Sequence, residues 1–124
     1  MKCLIVMKRR ILVVDDEASI RTMVQTVLEW VGYEVTTARN GREAITLLAA
    51  SDYDLVLLDV RMPIAGGIDV IDELRKSHAS VLAHTYLLSA EDGAQLTNLP
   101  VRGIIAKPFD ISRLVAEAKD CIGH

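Results

Sequence analysis

Asp15 and Asp16 end the apolar run Ile11-Leu12-Val13-Val14, and a third acid, Asp59, ends Leu55-Val56-Leu57-Leu58. Carboxylates gathered in one cleft raise each other's pKa, because each charge disfavours ionisation of its neighbour. Such a cluster is tolerated when a cation sits among the acids or when one of them is chemically modified. Ser89 follows a further apolar run, Tyr86-Leu87-Leu88, and Lys107 follows Ile104-Ile105-Ala106. Three acids, a hydroxyl and an ammonium at four strand ends describe a site for a metal and an anion.

The elements that hold these groups show in the hydropathy pattern. Apolar runs of strand length alternate with amphipathic stretches of helix length, the mark of a parallel sheet covered on both faces. Strands are expected over Arg10 to Val14, Glu34 to Ala38, Asp54 to Leu58, Thr85 to Leu88 and Gly103 to Ala106. The first helix carries Ile20, Met23, Val24, Val27, Leu28 and Val31 at helical spacing and closes at Gly32. Asn40 caps the second, whose Ala44, Ile45 and Leu48 point inward. Met62-Pro63 and Gly66-Gly67 make a loop before a third helix with Ile68, Ile71 and Leu74 as its stripe. Asp110 or Ser112 caps the last helix, with Leu114, Val115, Ala118 and Ile122 inward. Between the fourth and fifth strands, Ala90 to Arg102 leaves room for little more than a short helix. Five βα units with right-handed crossovers make a doubly wound α/β domain. Ligands of such folds bind outside the carboxyl ends of the strands, where the polar residues above all fall.

The chain of 124 residues suits one domain, half hydrophobic and a quarter charged. A formal charge of −3 gives no electrostatic reason for direct nucleic-acid binding, and Lys8-Arg9-Arg10 is too short for a basic patch. No apolar stretch reaches the ~20 residues of a membrane span, so no membrane insertion is expected. Met1 to Met7 lacks a secretory pattern. Met7 is an alternative start, and the reading is an N-terminal extension over 1–7 with the domain over 8–124. Cys3 and Cys121 lack metal spacing and fit a reducing cytoplasm. His78, His84 and His124 have no partner at metal spacing, and Trp30 and Tyr33 are read as edge packing.

Val14-Asp15-Asp16-Glu17, Leu58-Asp59-Val60-Arg61-Met62-Pro63, Leu88-Ser89-Ala90 and Ala106-Lys107-Pro108-Phe109 together resemble the receiver (CheY-like) domain of two-component response regulators. The resemblance runs from about Lys8 to Ile122. Four motifs occur in order, with 43 residues from Asp16 to Asp59 and 30 from Asp59 to Ser89. It implies a flavodoxin-like (βα)5 sandwich with strand order 2-1-3-4-5. It further implies that Asp59 is the phosphoacceptor, taking a phosphoryl group from a sensor histidine kinase or phosphotransfer protein. Asp16, Asp59 and the backbone carbonyl of Arg61 would bind Mg2+, with Asp15 helping through water. This agrees with the preference of Mg2+ for hard oxygen ligands and retained waters. Lys107 and Ser89 would hold phosphoryl oxygens, and the Lys107–Pro108 peptide would be cis. Such a domain is not an enzyme beyond its own phosphorylation and dephosphorylation, and it reports through changed protein contacts, with dimerisation open.

Two departures concern signalling. Ile104 stands where the family usually has an aromatic that swings inward on phosphorylation. Ser89 to Lys107 spans 18 residues, about one helical turn fewer than usual. The helix between the fourth and fifth strands is therefore expected to be short or irregular. Arg61 and Glu91 are candidates for an ion pair across the mouth of the site. The chain reads as a stand-alone regulator or as the receiver of a longer protein with a fused output domain. The main rival reading is a phosphorylation-independent binding module of the same fold. A flavin carrier would want a Ser-, Thr- or Gly-rich phosphate loop where Asp15-Asp16-Glu17 stands.

Overall fold

The computed structural model describes residues 8–62, 64–90 and 99–122. Five short runs rich in β-branched and apolar residues form the strands β1 (Arg10–Val14), β2 (Glu34–Ala38), β3 (Leu55–Asp59), β4 (Thr85–Ser89) and β5 (Gly103–Ala106). They pair in parallel as one sheet in the order β2-β1-β3-β4-β5, the flavodoxin-like arrangement that the resemblance implied. β3 and β4 are buried at every position, as strands covered on both faces must be.

The helices are α1 (Ala18–Val31), α2 (Gly41–Ala50), α3 (Gly67–Ser77) and α4 (Ile111–Ile122), with a 3-10 turn over Ala79–His84. Alternation along the strands divides the core into two layers. Ile11, Val13, Leu55, Leu57 and Leu88 meet Val24 and Leu28 of α1 and Leu114 and Ala118 of α4. Leu12, Val14, Val56, Leu58 and Leu87 meet Ala44 and Leu48 of α2 and Val70, Ile71 and Leu74 of α3. Each fully buried aliphatic side chain contributes ~1.5–3 kcal/mol of transfer free energy, so the paired layers dominate stability.

Helix ends follow the local chemistry. Gly32 takes φ 119°, which costs no Cβ clash, and its N–H reaches the Leu28 and Glu29 carbonyls. The Asn40 side chain accepts from the Glu43 N–H at 2.9 Å, so it caps α2 as expected. Of the two residues considered at the start of α4, Asp110 is the cap: its carboxylate accepts from the Ser112 N–H at 2.8 Å.

The structure corrects five details. β4 runs on to Ser89 rather than ending at Leu88, and Met23, expected on the inward stripe of α1, is 37% exposed. β3 begins at Leu55 and takes in Asp59 itself. The buried stripe of α3 is Gly67, Val70, Ile71 and Leu74, while Ile68 is 38% exposed. The phase is set at Gly67, whose missing side chain lets the helix start lie against the Asp59 carbonyl. Trp30 is 89% exposed and packs no edge, whereas Tyr33 is buried in the core. The extension over 1–7, the short helix expected after Ala90 and the Arg61–Glu91 pair rest on residues outside those described.

Candidate functional site

Register brings the chemical groups together. Val14 pairs with Leu58, so Asp15 and Asp59, each one step further, emerge side by side. Ser89 pairs with Ala106, so Lys107 emerges one step beyond the edge of the ladder, its N–H bonded to the Ser89 carbonyl at 2.8 Å. The Lys107–Pro108 peptide is cis. All five groups expected at strand ends thus meet at the carboxyl edge of the sheet. Asp16, Asp59, Arg61, Ser89, Ala90 and Lys107 line a cleft there of about 390 Å3.

The two buried acids share one cation. The Lys107 ammonium donates to Asp15 Oδ2 at 2.8 Å and to Asp59 Oδ2 at 3.2 Å. Asp15 is fully buried, and its other oxygen accepts from the Glu17 N–H at 3.0 Å. Asp59 is 6% exposed and accepts from the Arg61 N–H at 3.2 Å. Burial first, and the Asp15 charge second, push the Asp59 carboxyl up to about 6 against the pull of Lys107. Burial acts to lower the Lys107 pKa, but its bonds to Asp15 and Asp59 outweigh this and hold it above the ordinary lysine value.

Asp16 differs from its neighbours in being exposed. One carboxylate oxygen from each of Asp15, Asp16 and Asp59 lies within 4.8 Å of the others. That all-oxygen donor set fits a small hard divalent cation, which takes carboxylates and waters at octahedral positions. A cation there would relieve the repulsion that raises the Asp59 pKa. Ser89 is buried with its backbone fixed by the sheet, and the exposed Ala90 beside it leaves the mouth of the cleft unobstructed.

The loop after β3 is fastened on its far side. The Gly41 N–H donates to the carbonyls of Ile64 and Ala65, at 3.2 and 3.0 Å, and Ala65 adopts φ 51°. The Gly67 N–H bonds the Val60 carbonyl at 3.0 Å. The chain leaving Asp59 is thereby anchored to both α2 and α3. Sequence reasoning missed two contributors to the acid loop. One is the Glu17 N–H on Asp15. The other is Arg21, whose guanidinium donates to the Asp15 main-chain carbonyl at 2.8 Å. Nothing in the linear pattern marks Arg21 apart from other helix-surface charges. Among the described residues no helix is long and apolar enough to cross a membrane.

Comparison with known proteins agrees with this geometry. A family model described as the response regulator receiver domain matches residues 11–119. The probable transcriptional regulator ycf27 of Cyanophora paradoxa is 40% identical over 116 residues, covering 93% of this chain and 48% of the relative. The transcriptional regulatory protein YkoG of Bacillus subtilis is 37% identical over 116 residues, covering 90% of this chain and 50% of its own length. The chain therefore spans about half the length of these curated relatives. Among solved structures, the response regulator TrrA of Thermotoga maritima, in complex with Mg(2+)-BeF, superposes with a TM-score of 0.81 at 36% identity. That match covers 91% of this chain and 98% of TrrA. The chemotaxis protein CheY4 of Vibrio cholerae gives a TM-score of 0.85 at 28% identity, covering 93% of this chain and 99% of that one.

Proposed function

The chain belongs to the response regulator receiver domain family of two-component systems, and from that premise we propose that it accepts a phosphoryl group on Asp59 in a Mg2+-dependent reaction. The observation that carries the proposal is the position of Asp59. It is a nearly buried carboxylate bonded to the Lys107 ammonium at 3.2 Å and grouped with two further acids at the strand ends. The donor is the phosphohistidine of a sensor histidine kinase or phosphotransfer protein.

A carboxylate oxygen of Asp59 attacks phosphorus, the P–N bond to the donor imidazole breaks, and the imidazole leaves with the bonding pair. Asp16 and Asp59, with the Arg61 carbonyl and with Asp15 through water, would hold Mg2+. When bound, the ion supplies charge neutralisation for the acids and the incoming phosphoryl oxygens. Lys107 turns its ammonium from Asp59 toward a phosphoryl oxygen, and the Ser89 hydroxyl donates to another. The Arg61 N–H, already on Asp59, keeps the carboxylate aimed through the transfer.

Phosphorylation changes the contacts of the domain with its partners. The relatives named as transcriptional regulators devote about half their length to the matching segment, which supports control of transcription through a further domain as the output. The domain acts on itself alone, in its own phosphorylation and dephosphorylation, and it works in the cytoplasm.

Incubation with Mg2+ and acetyl phosphate, followed by intact mass, tests the proposal. The expected result is a one-phosphate gain that is lost on removing Mg2+ and in Asp59→Asn. No gain from acetyl phosphate or from any phosphohistidine donor would overturn it in favour of a binding module that works unphosphorylated.

A further inference from the structure

Asp15 has every polar group engaged. Its N–H bonds the Ala38 carbonyl of β2 at 3.2 Å, one carboxylate oxygen takes the Glu17 N–H, and the other takes Lys107. The fourth group, its main-chain carbonyl, belongs to the peptide that joins Asp15 to Asp16. That carbonyl accepts from the Arg21 guanidinium at 2.8 Å. Arg21 lies one helical turn into α1, and its own N–H bonds the Glu17 carbonyl at 3.1 Å. The side chain therefore folds back over the turn that carries the acids and ties the Asp15–Asp16 peptide to the helix.

We infer that Arg21 is a positioning residue for the cation site: by fixing the Asp15–Asp16 peptide plane it aims the exposed Asp16 carboxylate toward Asp59. Asp16 needs such an aid more than its neighbours do. Asp15 and Asp59 are buried and bonded to Lys107, whereas Asp16 projects from a turn between β1 and α1. A metal ligand on a turn binds well only if the backbone beneath it is held, because any freedom must be surrendered on binding. The charge of Arg21 is also felt at Glu43 of α2, whose carboxyl is held below its usual range chiefly by Arg39. Its contribution to Glu43 is small beside that of Arg39, and the hydrogen bond its guanidinium makes is to the Asp15 carbonyl.

Charge and position pull in opposite directions, which makes the role testable. Arg21 is a cation near an intended cation site, so simple electrostatics says that removing it should tighten Mg2+ binding. Positioning says that removing it should weaken binding. The inference rests on the metal-site reading above, and Mg2+ titration of the wild-type chain by calorimetry checks that reading first.

Arg21→Met keeps the apolar stem and discards the charge and the donors, and Arg21→Ala is a second truncation should the first not fold. Both are expected to weaken Mg2+ binding about tenfold. Arg21→Lys, with charge and a donor retained, should recover most of the affinity. The Mg2+ concentration for half-maximal phosphorylation by acetyl phosphate should rise in step, with the rate at saturating Mg2+ nearly unchanged. Unchanged or tighter Mg2+ binding in the truncations would overturn the positioning role while leaving the site itself standing. Absence of Mg2+ binding by the wild-type chain would overturn the site reading and this inference together.

Discussion

Lys107 lies closer to Asp15 than to Asp59, at 2.8 against 3.2 Å, although Asp59 is the expected phosphoacceptor. Its ammonium joins the end of β5 to the end of β1 across the sheet, and it is the cation that both buried acids share. Breaking a buried pair by deleting one partner is costly because the other charge is left without compensation. Lys107→Met should therefore destabilise the metal-free domain at neutral pH by about 3 kcal/mol. Mg2+ should restore part of the loss, and should stabilise this variant more than it stabilises the wild type. Urea denaturation with and without Mg2+ measures both; equal stability of variant and wild type without metal would contradict the shared-cation account.

Asp59 gives the domain a pH dependence of definite sign. Its folded pKa of about 6 lies above the ordinary value of ~3.9 for an unfolded aspartate. The folded state therefore binds more protons between those values, and stability falls as pH rises from about 4 to about 6. Above that window the penalty from Asp59 is constant, on the order of 3 kcal/mol. Asp59→Asn should accordingly be more stable than wild type at pH 7.5 without metal, and the advantage should vanish near pH 4. Asp15→Asn removes the like charge that contributes to the rise, so it should lower the Asp59 pKa. Titration followed by carboxyl NMR shifts reads the pKa values directly. A stability gap between Asp59→Asn and wild type that grows on acidification would contradict this sign.

Most of this site could be read in the sequence because each group closes an apolar run. Asp15, Asp59, Ser89 and Lys107 sit where Val14, Leu58, Leu88 and Ala106 stop, and parallel register then aligns them without further information. Helix faces were less legible. Each residue step turns a helix by about 100°, so Trp30 falls off the stripe centred on Val24, Leu28 and Val31 despite being apolar. Ile68 was misplaced for a related reason, since the phase of α3 is set by close approach of Gly67 to the β3 backbone. The Arg21 bond to the Asp15 carbonyl and the Gly41 bonds to Ile64 and Ala65 have no signature at all. They depend on which turns the fold places against each other.

Gly41 supplies the third prediction. A Cβ at this position would run into the Ala65 carbonyl oxygen and come within 2.7 Å of Val70 Cγ2. The glycine thus permits the loop from β3 to rest directly on the start of α2. Gly41→Ala should cost about 1–3 kcal/mol, the usual penalty for forcing atoms into a filled space. Because that loop begins at the strand that ends in Asp59, the proposed phosphoacceptor, and carries Arg61, the same change should slow phosphorylation of Asp59 by acetyl phosphate. Thermal unfolding and phosphorylation rates measured on one preparation check the pairing. A variant with wild-type stability would show that the loop yields easily, and the proposed anchor would then be inconsequential.

The last prediction concerns how phosphorylation is reported. Ile104 is half-buried and packs with the layer formed by α2 and α3, so the aromatic swing usual at this position has no counterpart here. A shift from 1:99 to 99:1 between two states needs ~5.5 kcal/mol of differential stabilisation. A charge-assisted hydrogen bond supplies ~1.5–3 kcal/mol, so Ser89 and Lys107 bonds to the phosphoryl group would together provide most of it. Ser89 would then carry a larger share of the response than it would beside a switching aromatic. Ser89 also holds the Lys107 N–H through its carbonyl, which couples any movement of β4 to the end of β5. Ser89→Ala keeps that backbone bond and loses only the hydroxyl. It should still be phosphorylated on Asp59, but phosphorylation should no longer alter amide exchange over 103–106 to the wild-type extent. If the exchange change were equal in Ser89→Ala and wild type, the hydroxyl would be irrelevant to signalling, and the response would have to run from Lys107 alone.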